Sequence, residues 1–365
     1  MKFLELKYEA FGLDINDSSL KLAKLKKRHG GFVLSSFNEA KIARGIIEDG
    51  VVKKEDALAK IIKYAYDTAK GKKIKTKYVV ASLPEEKSFL QVIQMPKMTR
   101  EELELAVPFE AENYIPMPIS DVYLDFQVIS PAKDYLNYLE VMIAAMPKKI
   151  VDSYVSCFKK AGLMPIILES ESEAIIRALV EKETKSSFLI LVDFGENNTN
   201  FIVFSGSSVR FTCSIPISSR MLTEAISESM KISFYEAEKL KIEHGLTNGK
   251  TSRSSTRAEK ISQIMTPILE DLMKQIKKYI SFYRDHSSYE YLLPDGKKEK
   301  ILICGGGAEL KGLADFMSKS LETQVELGGS LINYMIKKPK NLIKKDLISF
   351  TTAIGLALRQ TDDNL

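Results

Sequence analysis

Residues 189–204 read LILVDFGENNTNFIVF, two apolar runs joined by a short acidic turn that contains a glycine. Apolar runs of this length, bounded by turn residues, predict two β-strands. Asp193 stands near the end of the first run, and amide and hydroxyl side chains follow it in the turn. A carboxylate followed by hydrogen-bond donors suits a metal-bound phosphate better than a purely structural hairpin.

The same design recurs near the start of the chain. Residues 11–25 read FGLDINDSSLKLAKL, with Asp14 in the equivalent place. One such hairpin is weak evidence, because Asp, Asn and Gly are the ordinary residues of tight turns. Two hairpins facing each other would clamp a nucleotide, so the pair indicates a phosphate site.

A third element lies near the other end of the chain, where residues 301–310 read ILICGGGAEL. This pattern predicts a buried strand, a turn of three glycines and a helix. Consecutive glycines allow a ligand to lie against the backbone, and a helix start offers free N–H groups. A dinucleotide-binding fold has a related turn, but the G-x-G-x-x-G spacing is absent.

In this order, the three elements resemble the two phosphate motifs and the adenosine motif of the actin-like ATPase superfamily. Further segments resemble the PilM family of type IV pilus assembly proteins: ASLP at 81–84, FEAENYIPMP at 109–118, VYLDFQVI at 122–129, AAMPKKIVDSY at 144–154 and SIPI at 214–217. The resemblance implies an α/β protein with the actin-like ATPase fold, in which two lobes each have a ribonuclease-H-like core.

The resemblance also implies four subdomains. We expect subdomain 1A at 1–85, 164–187 and 346–365, an inserted subdomain 1C at 86–163, subdomain 2A at 188–222 and 292–345, and subdomain 2B at 223–291. Local patterns agree with this division. Thr99 and Glu102 have the spacing of a helix capping box, Gly162 is expected to end a helix at 148–161, and a closing helix is expected at 348–358.

The resemblance implies ATP and Mg²⁺ in a cleft between the lobes. Asp14 and Asp193 would hold Mg²⁺ largely through water, and Lys21 would reach the β- and γ-phosphates. The other expected contacts with the nucleotide come from the two turns, from one helix and from the triple glycine: Asn16, Ser18, Ser19, Gly195, Asn198, Thr199, Glu238, Lys241, Gly305, Gly306 and Gly307.

Several of these residues have an ordinary structural interpretation as well. From spacing alone, Glu238 and Lys241 form a solvated i, i+3 ion pair, whereas the resemblance places them beside the nucleoside. Gly195 is expected to give its turn a positive φ. Asn16 stands where the family has glycine; we expect it to tolerate a left-handed backbone and to narrow the approach to the phosphates.

Hydrolysis requires a residue that orients water against the γ-phosphate. The resemblance places it in the segment between the lobes, with Glu171 as the first candidate and Glu169 as the second. The helix dipole explains acidic residues at a helix start equally well. Because Asn16 replaces a glycine, we expect ATP binding with slow or undetectable turnover.

The expected partner, again by resemblance, is the cytoplasmic N-terminal peptide of the inner-membrane protein PilN. It would occupy a groove between subdomains 1A and 1C by strand pairing and side-chain pockets. Its candidate apolar contacts, each of which also suits a core position, are Phe109, Tyr114, Ile115, Met117 and Pro118.

Two other functions and a possible homo-oligomer remain open. The first alternative is an FtsA-like cell-division filament protein; FtsA proteins end in a basic amphipathic helix, whereas residues 358–365 read LRQTDDNL. The second is a sugar or acetate kinase, against which the 1C-like insert argues. A P-loop is not expected at 245–251, because three residues separate the glycines of GLTNGKT where the motif needs four.

The composition of the 365 residues, 45% hydrophobic and 28% charged with a net charge of +5, is ordinary. Nucleic-acid binding is not indicated. A lysine cluster at 337–345 is typical of a solvated face, or of contact with an anionic membrane. The isolated Cys157, Cys213 and Cys304 predict free thiols. Without an apolar run of spanning length or a signal peptide, we expect a cytoplasmic protein that meets the membrane through partners.

Overall fold

The computed structural model describes residues 9–28, 31–129, 137–180, 188–206, 208–247, 256–286, 300–328, 336–337 and 346–359. The chain divides into a first unit, Met1–Thr184 with Gly329–Leu365, and a second unit, Lys185–Gly328. Each unit contains a β-sheet and helices, which confirms the predicted α/β class with two lobes. The second unit ends before the predicted residue 345, because Ile336 and Lys337 pair with a strand of the first unit.

The first unit contains most of the strands. These are β1 (Phe11–Ile15), β2 (Ser19–Arg28), β3 (Gly31–Lys41), β4 (Ile47–Glu48), β5 (Val51–Val52), β6 (Lys70–Gly71), β7 (Tyr78–Leu83), β8 (Phe89–Pro96), β9 (Val122–Ile129), β10 (Tyr138–Pro147), β11 (Met164–Ser170) and, late in the chain, β17 (Ile336–Lys337). Its main sheet has the order β11-β7-β1-β2-β3-β17. Strands β11, β7 and β1 run parallel, and β1, β2 and β3 are antiparallel neighbours.

The first unit also contains six α-helices among its described residues. They are α1 (Glu55–Asp67), α2 (Arg100–Ala111), α3 (Lys148–Lys160), α4 (Glu171–Leu179), α9 (Asp346–Ser349) and α10 (Thr351–Arg359). Tyr154 and Phe158 of α3 are fully buried in a core that includes Phe11 of β1. Gly162, with φ +78°, ends α3 as predicted.

The closing helix α10 approaches the rest of the first unit at two glycines. A Cβ on Gly12 would lie 2.2 Å from the Ala353 carbonyl oxygen, and one on Gly355 would lie 1.8 Å from that of Ala174. Only glycine permits this backbone approach to β1 and α4. The predicted return of the closing helix to the first lobe is thereby confirmed.

The insert has a hydrophobic core of its own. Strand β10 pairs antiparallel with β8 on one side and β9 on the other, and Leu103 and Val107 of α2 pack on this sheet. The Thr99 N–H donates to Glu102 Oε2 at 2.7 Å, and the Glu102 N–H donates to Thr99 Oγ1 at 3.3 Å. The predicted capping box is therefore confirmed.

The strands of the second unit follow one another in the order β16-β15-β12-β13-β14. The strands are β12 (Leu189–Phe194), β13 (Thr199–Ser205), β14 (Ser208–Ile215), β15 (Lys300–Cys304) and β16 (Val325–Leu327), and the helices are α5 (Ser219–Met230), α6 (Phe234–His244), α7 (Thr256–His286) and α8 (Leu313–Leu321). Strands β12, β15 and β16 are parallel, while β12, β13 and β14 are antiparallel.

The two sheets therefore repeat one topology. In each, the first two neighbouring strands of the unit form a hairpin, a third strand extends it antiparallel, and two parallel strands lie on the other side. This repetition is what a ribonuclease-H-like core in each lobe predicts. It also gives Asp14 and Asp193 the same place in their respective units.

Two further expectations concern segments outside these sheets. Gly245 follows α6 with φ +64° as its C-cap, so this glycine ends a helix and does not begin a phosphate loop; residues 248–255 lie outside the described part of the chain. No helix among the described residues is both long enough and apolar enough to span a membrane. The free cysteines include a buried Cys157 and Cys304, which agrees with the predicted thiols.

Candidate nucleotide site and partner cleft

Asp14 lies at the end of β1 and is buried, with 6% of its surface exposed. Its Oδ1 accepts a hydrogen bond from the Ser82 hydroxyl at 3.0 Å, and Ser82 Oγ accepts one from the Ile15 N–H at 3.2 Å. Burial raises the pKa of Asp14, and the charge of Lys21 and the Ser82 hydrogen bond oppose this rise. Ser82 reaches this position because β7 lies parallel beside β1.

Lys21 is the direct cross-strand neighbour of Asp14 in the β1–β2 register. Opposed residues of an antiparallel pair project from the same face of the sheet. Lys21 is half-buried, so its ammonium group acts on Asp14 with reduced screening by water. The structure thus brings together the carboxylate and the lysine that the sequence predicted for the metal and the phosphates.

Asn16 has an unexpected role in the turn between these strands. Its Oδ1 accepts from the Ser18 N–H at 3.0 Å and hydroxyl at 3.1 Å, and from the Ser19 N–H at 2.9 Å and hydroxyl at 3.3 Å. The expected left-handed backbone is wrong, since Asn16 does not have a positive φ. The side chain organises the turn instead, and it engages the same donors that were predicted to bind phosphate.

Asp17, which the sequence did not single out, ties this turn to the next loop. Its two carboxylate oxygens accept from the Asp49 N–H at 2.7 Å and the Gly50 N–H at 3.0 Å. The Tyr154 hydroxyl donates to the Gly50 carbonyl at 3.2 Å. The turn after Asp14 is therefore tied through Asp17 to the loop at residues 49–50, and Tyr154 holds that loop.

In the second unit, Asp193 is the penultimate residue of β12, and Gly195 begins the turn that follows. The Gly195 N–H donates to the Asn198 carbonyl at 2.9 Å. The expected positive φ at Gly195 is wrong; glycine is needed here because a Cβ would lie 2.8 Å from the Asn198 carbonyl oxygen. Thr199 is fully buried and its hydroxyl donates to the Ile217 carbonyl, so this side chain has a structural role.

The three glycines after β15 lie beside Asp193, because β15 runs parallel to β12 with Cys304 opposite Asp193. Gly305 has φ +85°, and a Cβ there would lie 2.2 Å from Asp193 Oδ1. A Cβ on Gly307 would meet the Phe194 ring at 2.6 Å, whereas one on Gly306 would meet nothing within 4 Å. Packing thus requires two of the glycines, and Gly306 leaves open space for a ligand.

The helix predicted directly after the glycines begins later than expected. A 3₁₀ turn covers Gly306–Glu309, and α8 starts only at Leu313, after Gly312 in a left-handed conformation. A left-handed glycine separates the two segments because an α-helix cannot continue through that conformation. The N-terminus of α8 is therefore not the anion site that the glycine pattern predicted.

Lys241 is a buried residue of α6, and its ammonium group contacts the first turns of α5. Its Nζ lies 2.8 Å from Glu238 Oε2, and it donates to the Ser219 carbonyl at 3.0 Å and to the Thr223 hydroxyl at 2.8 Å. Burial lowers the pKa of Lys241, and Glu238 opposes this change. The i, i+3 ion pair exists, but its lysine end is not solvated.

The start of α5 also contacts the turn after Asp193. The Ser219 N–H donates to the Gly195 carbonyl at 3.0 Å, and the Arg220 N–H donates to the Glu196 carbonyl at 3.1 Å. Gly195, Ser219 and Lys241 are therefore linked through successive hydrogen bonds. Ser219 and Thr223 were not predicted, although polar residues on the inward face of an amphipathic helix are a signal for such a role.

The two candidates for water orientation differ in their surroundings. Glu169 makes a two-pronged ion pair with Arg177, at 2.6 and 2.9 Å, which commits it to structure. Glu171 is 8% exposed at the start of α4. Glu85, which was not predicted, accepts from the Ser172 N–H and hydroxyl, each at 3.0 Å, and so fixes this helix start.

A cleft lies within the first unit between the insert and β11. It encloses about 300 Å³, and its walls are formed by Leu83, Ser88, Phe89, Leu90, Tyr123, Leu124, Asp125, Phe126, Gln127, Met142, Ala144, Ala145, Met146, Val151, Ile167, Leu168, Glu169, Ser170, Glu173 and Arg359. None of the five predicted partner contacts is among them. Ile115 is buried in the core of the insert, whereas Phe109, Tyr114, Met117 and Pro118 are exposed elsewhere on it.

The chain resembles known proteins over most of its length. A family model for the type IV pilus assembly protein PilM matches residues 12–361. A chain of a solved PilM-PilN type IV pilus biogenesis complex is 27% identical with a TM-score of 0.80, covering 98% of this chain and 99% of that one. MreB5 of Spiroplasma citri bound to AMPPNP is 13% identical with a TM-score of 0.52, covering 96% and 98%. These matches confirm the actin-like ATPase fold.

The cell division protein FtsA of Pseudomonas aeruginosa is also similar. It is 22% identical over 215 residues, which cover 55% of this chain and 49% of FtsA. The chain thus spans about half the length of this relative.

Proposed function

We propose, because the chain belongs to the family of type IV pilus assembly proteins PilM, that it is an ATP-binding platform for inner-membrane proteins of pilus assembly. A PilM-PilN complex shares the fold over nearly the whole chain, which supports PilN as the partner. The MreB5 structure, whose likeness concerns the fold alone, was solved with AMPPNP, and it supports a nucleotide as the ligand.

The equivalence of Asp14 and Asp193 is the observation that carries the nucleotide proposal. Each carboxylate ends the first strand of a hairpin and lies beside a parallel strand, β7 in one unit and β15 in the other. In both units the carboxylate is followed by a turn that contains amide or hydroxyl donors. A phosphate-binding role for each turn accounts for this repetition.

The protein ligands proposed for Mg²⁺ are few, namely the carboxylates of Asp14 and Asp193. The described residues contain no cluster of three or more His, Cys, Asp and Glu side chains able to hold a metal. Mg²⁺ retains several waters and takes phosphate oxygens beside one or two carboxylates, so Asp14 and Asp193 suffice as its protein contacts. The ion would neutralise phosphate charge next to Lys21.

The nucleoside and α-phosphate are assigned to the second unit. Gly306 provides an open backbone position next to Asp193, and Glu238 and Lys241 lie on α6, which is linked to the Asp193 turn through Ser219. Lys241 is held by three neighbours, so it presents a fixed positive charge. Glu238, with 37% of its side chain exposed, is the more accessible member of the pair.

Turnover is proposed to be slow, with ATP acting mainly as a structural ligand. In the first unit Asn16 already engages the donors of Ser18 and Ser19. Glu171 remains the proposed water-orienting residue, since the ion pair to Arg177 occupies Glu169.

The proposed binding site for a PilN N-terminal peptide is the cleft between the insert and β11. Strand β11 is the last strand of the main sheet, and β9 is the last strand of the insert. Such edge strands can pair with an extended peptide, while side chains enter pockets. Through this peptide the chain would be held at the cytoplasmic face of the inner membrane.

Calorimetry tests both parts on the intact chain. ATP with Mg²⁺ is expected to bind, and the binding is expected to weaken when EDTA removes the metal; a synthetic N-terminal PilN peptide from the same genome is expected to bind separately. Absence of ATP binding would refute the nucleotide role. Absence of peptide binding at high micromolar concentration would favour an FtsA-like filament protein, for which the similarity to FtsA is the supporting observation and sedimentation with ATP and lipid is the test.

A further inference from the structure

A basic surface covers the end of the first unit's sheet that lies opposite to the Asp14 turn. Strands β1 and β7 begin at this end and β2 finishes there, whereas Asp14 and Ser82 lie toward the far ends of their strands. Residues 70–77, KGKKIKTK, contain five lysines and no acidic residue. Because β6 pairs antiparallel with β3 and residue 78 begins β7, this segment crosses the end of the sheet.

The lysines of this segment are displayed on a fixed backbone. The Lys72 N–H donates to the Ser35 carbonyl at 2.9 Å, and the Tyr66 hydroxyl donates to the Thr76 carbonyl at 3.1 Å. Ile74 is buried in the core, while all five lysines are exposed. The segment is therefore anchored at its centre and presents its charges outward.

Three more exposed cations lie at the same end of the sheet, where β2 finishes: Lys26, Lys27 and Arg28. They pair with the first residues of β3. Within the described part of the chain, none of these eight side chains forms an ion pair; the preceding Lys24, by contrast, pairs with Glu9 at 3.0 Å. Repulsion among uncompensated like charges is a cost that a partner of opposite charge would remove.

The backbone of β17 also pairs with β3 at this end of the sheet, at Phe32 and Val33. It brings in Lys337, the first residue of the lysine cluster noted in the sequence; residues 338–345 lie outside the described part of the chain. Three separate segments of the sequence thus converge on one end of the sheet.

We propose that this basic end of the first unit binds directly to the surface of an anionic phospholipid bilayer. This goes beyond the function proposed above, in which a partner peptide alone brings the chain to the membrane. Seven of the eight cations are lysines, compact charges suited to a diffuse anionic surface, whereas arginine is favoured for bidentate recognition of single phosphates. Residues 70–77 contain no aromatic side chain on which nucleic-acid bases could stack.

Because the basic surface and the Asp14 turn lie at opposite ends of the strands, a bilayer and a nucleotide could bind at the same time. The phosphate turn lies at the carboxyl end of β1 and the basic surface at its amino end. A bilayer on the basic surface would therefore leave the turn around Asp14 accessible to a nucleotide.

Vesicle flotation with the full chain tests the proposal. Vesicles of phosphatidylcholine alone are compared with vesicles that contain phosphatidylglycerol, at low and high salt. The test variant is Lys72→Glu, Lys73→Glu, Lys75→Glu. The control carries the same charge change at exposed lysines of the second unit, Lys277→Glu, Lys278→Glu, Lys319→Glu.

The wild type and the control are expected to bind the anionic vesicles, and salt is expected to weaken this binding. The test variant is expected to bind roughly tenfold or more weakly, with an unchanged melting temperature and ATP affinity. Equal binding to neutral vesicles, or equal binding by the test variant, would overturn the proposal. So would tighter binding to nucleic acid that the same substitutions abolish. If the wild type fails to bind ATP or the PilN peptide, that result counts against the proposed function and leaves the membrane proposal untouched.

Discussion

The side-chain oxygen of Asn16 accepts both donors of Ser19, the backbone N–H at 2.9 Å and the hydroxyl at 3.3 Å. A phosphate oxygen bound in this turn would compete for the same donors. Asn16→Gly is therefore expected to tighten ATP binding about fivefold, the equivalent of about 1 kcal/mol for one hydrogen bond. Asn16→Asp places a negative charge beside the phosphates and is expected to weaken binding. Calorimetry measures both effects.

Asn113→Gly serves as the control, since Asn113 lies in an exposed turn of the insert. It is expected to leave ATP affinity unchanged. If Asn16→Gly binds ATP no better than the wild type while the wild type does bind, the side chain of Asn16 does not compete with phosphate.

Asp193 is the residue on which metal-dependent binding should depend most. Its replacement by alanine removes the carboxylate that lies against Gly305. In the wild type, ATP at a hundred times its dissociation constant is expected to raise the free energy of unfolding by about 2.7 kcal/mol. Asp193→Ala should lose most of this increment, whereas Asp315→Ala, an exposed site on α8 in the same unit, should keep it. Denaturation with and without ATP and Mg²⁺ provides the comparison.

Local patterns in the sequence predicted the hairpins, the triple glycine and the capping box, because each depends on residues close together in the chain. Ser82 and Glu85 escaped prediction for the opposite reason. Ser82 meets Asp14 across 68 residues, and Glu85 meets Ser172 across 87. Such contacts follow from the order of strands and helices, which no local pattern contains.

The wrong backbone predictions for Gly195 and Asn16 have a different cause. The sequence identified the residues of the two turns, but it did not show why each residue is needed there. At Gly195 the reason is lack of space beside the Asn198 carbonyl, and at Asn16 it is side-chain hydrogen bonding. The exposed apolar residues of 109–118, predicted as partner contacts, lie away from the cleft, whose walls come from strands that are half-buried. The predicted contacts and the cleft are therefore two different surfaces.

Lys241 should matter for both stability and binding. Lys241→Met keeps most of the side-chain volume but leaves Glu238, Ser219 and Thr223 without their buried donor. We expect a loss of about 2 kcal/mol in the free energy of unfolding and weaker ATP binding. Lys239→Met changes an exposed lysine of the same helix and should affect neither. Urea denaturation and calorimetry are the measurements; an unchanged stability would contradict the hydrogen-bond network.

Glu173 should make stability depend on pH. Burial and the neighbouring Glu169 raise its pKa from 4.5 to about 7. Between these values the folded state holds more protons than the unfolded state, so the free energy of unfolding falls as pH rises. Glu173→Gln should remove this loss and stabilise the protein by about 1–3 kcal/mol at pH 8, with little effect at pH 4. Glu112→Gln, at an exposed position, is the control in denaturation at the two pH values.

Two exposed aromatic residues of the insert distinguish the cleft from the surface predicted by sequence. Tyr123 lines the cleft and is 49% exposed, while Phe109 lies on α2 and is 77% exposed. Tyr123→Asp is expected to weaken binding of the PilN N-terminal peptide at least about tenfold, the effect of removing one well-packed contact. Phe109→Asp is expected to leave it unchanged. Fluorescence anisotropy of a labelled peptide measures both affinities.

Both variants should retain the wild-type melting temperature and ATP affinity, because neither side chain is buried in a core. Tyr123 loses one hydrogen bond to Asp152, of 3.0 Å and solvent-exposed, so Asp152→Asn should be included to show that this bond is not itself the cause. The reverse pattern, with peptide binding lost in Phe109→Asp and kept in Tyr123→Asp, would move the partner to the exposed face of α2. The cleft would then need another ligand, and the edge strands β9 and β11 would no longer support the proposed mode of peptide binding.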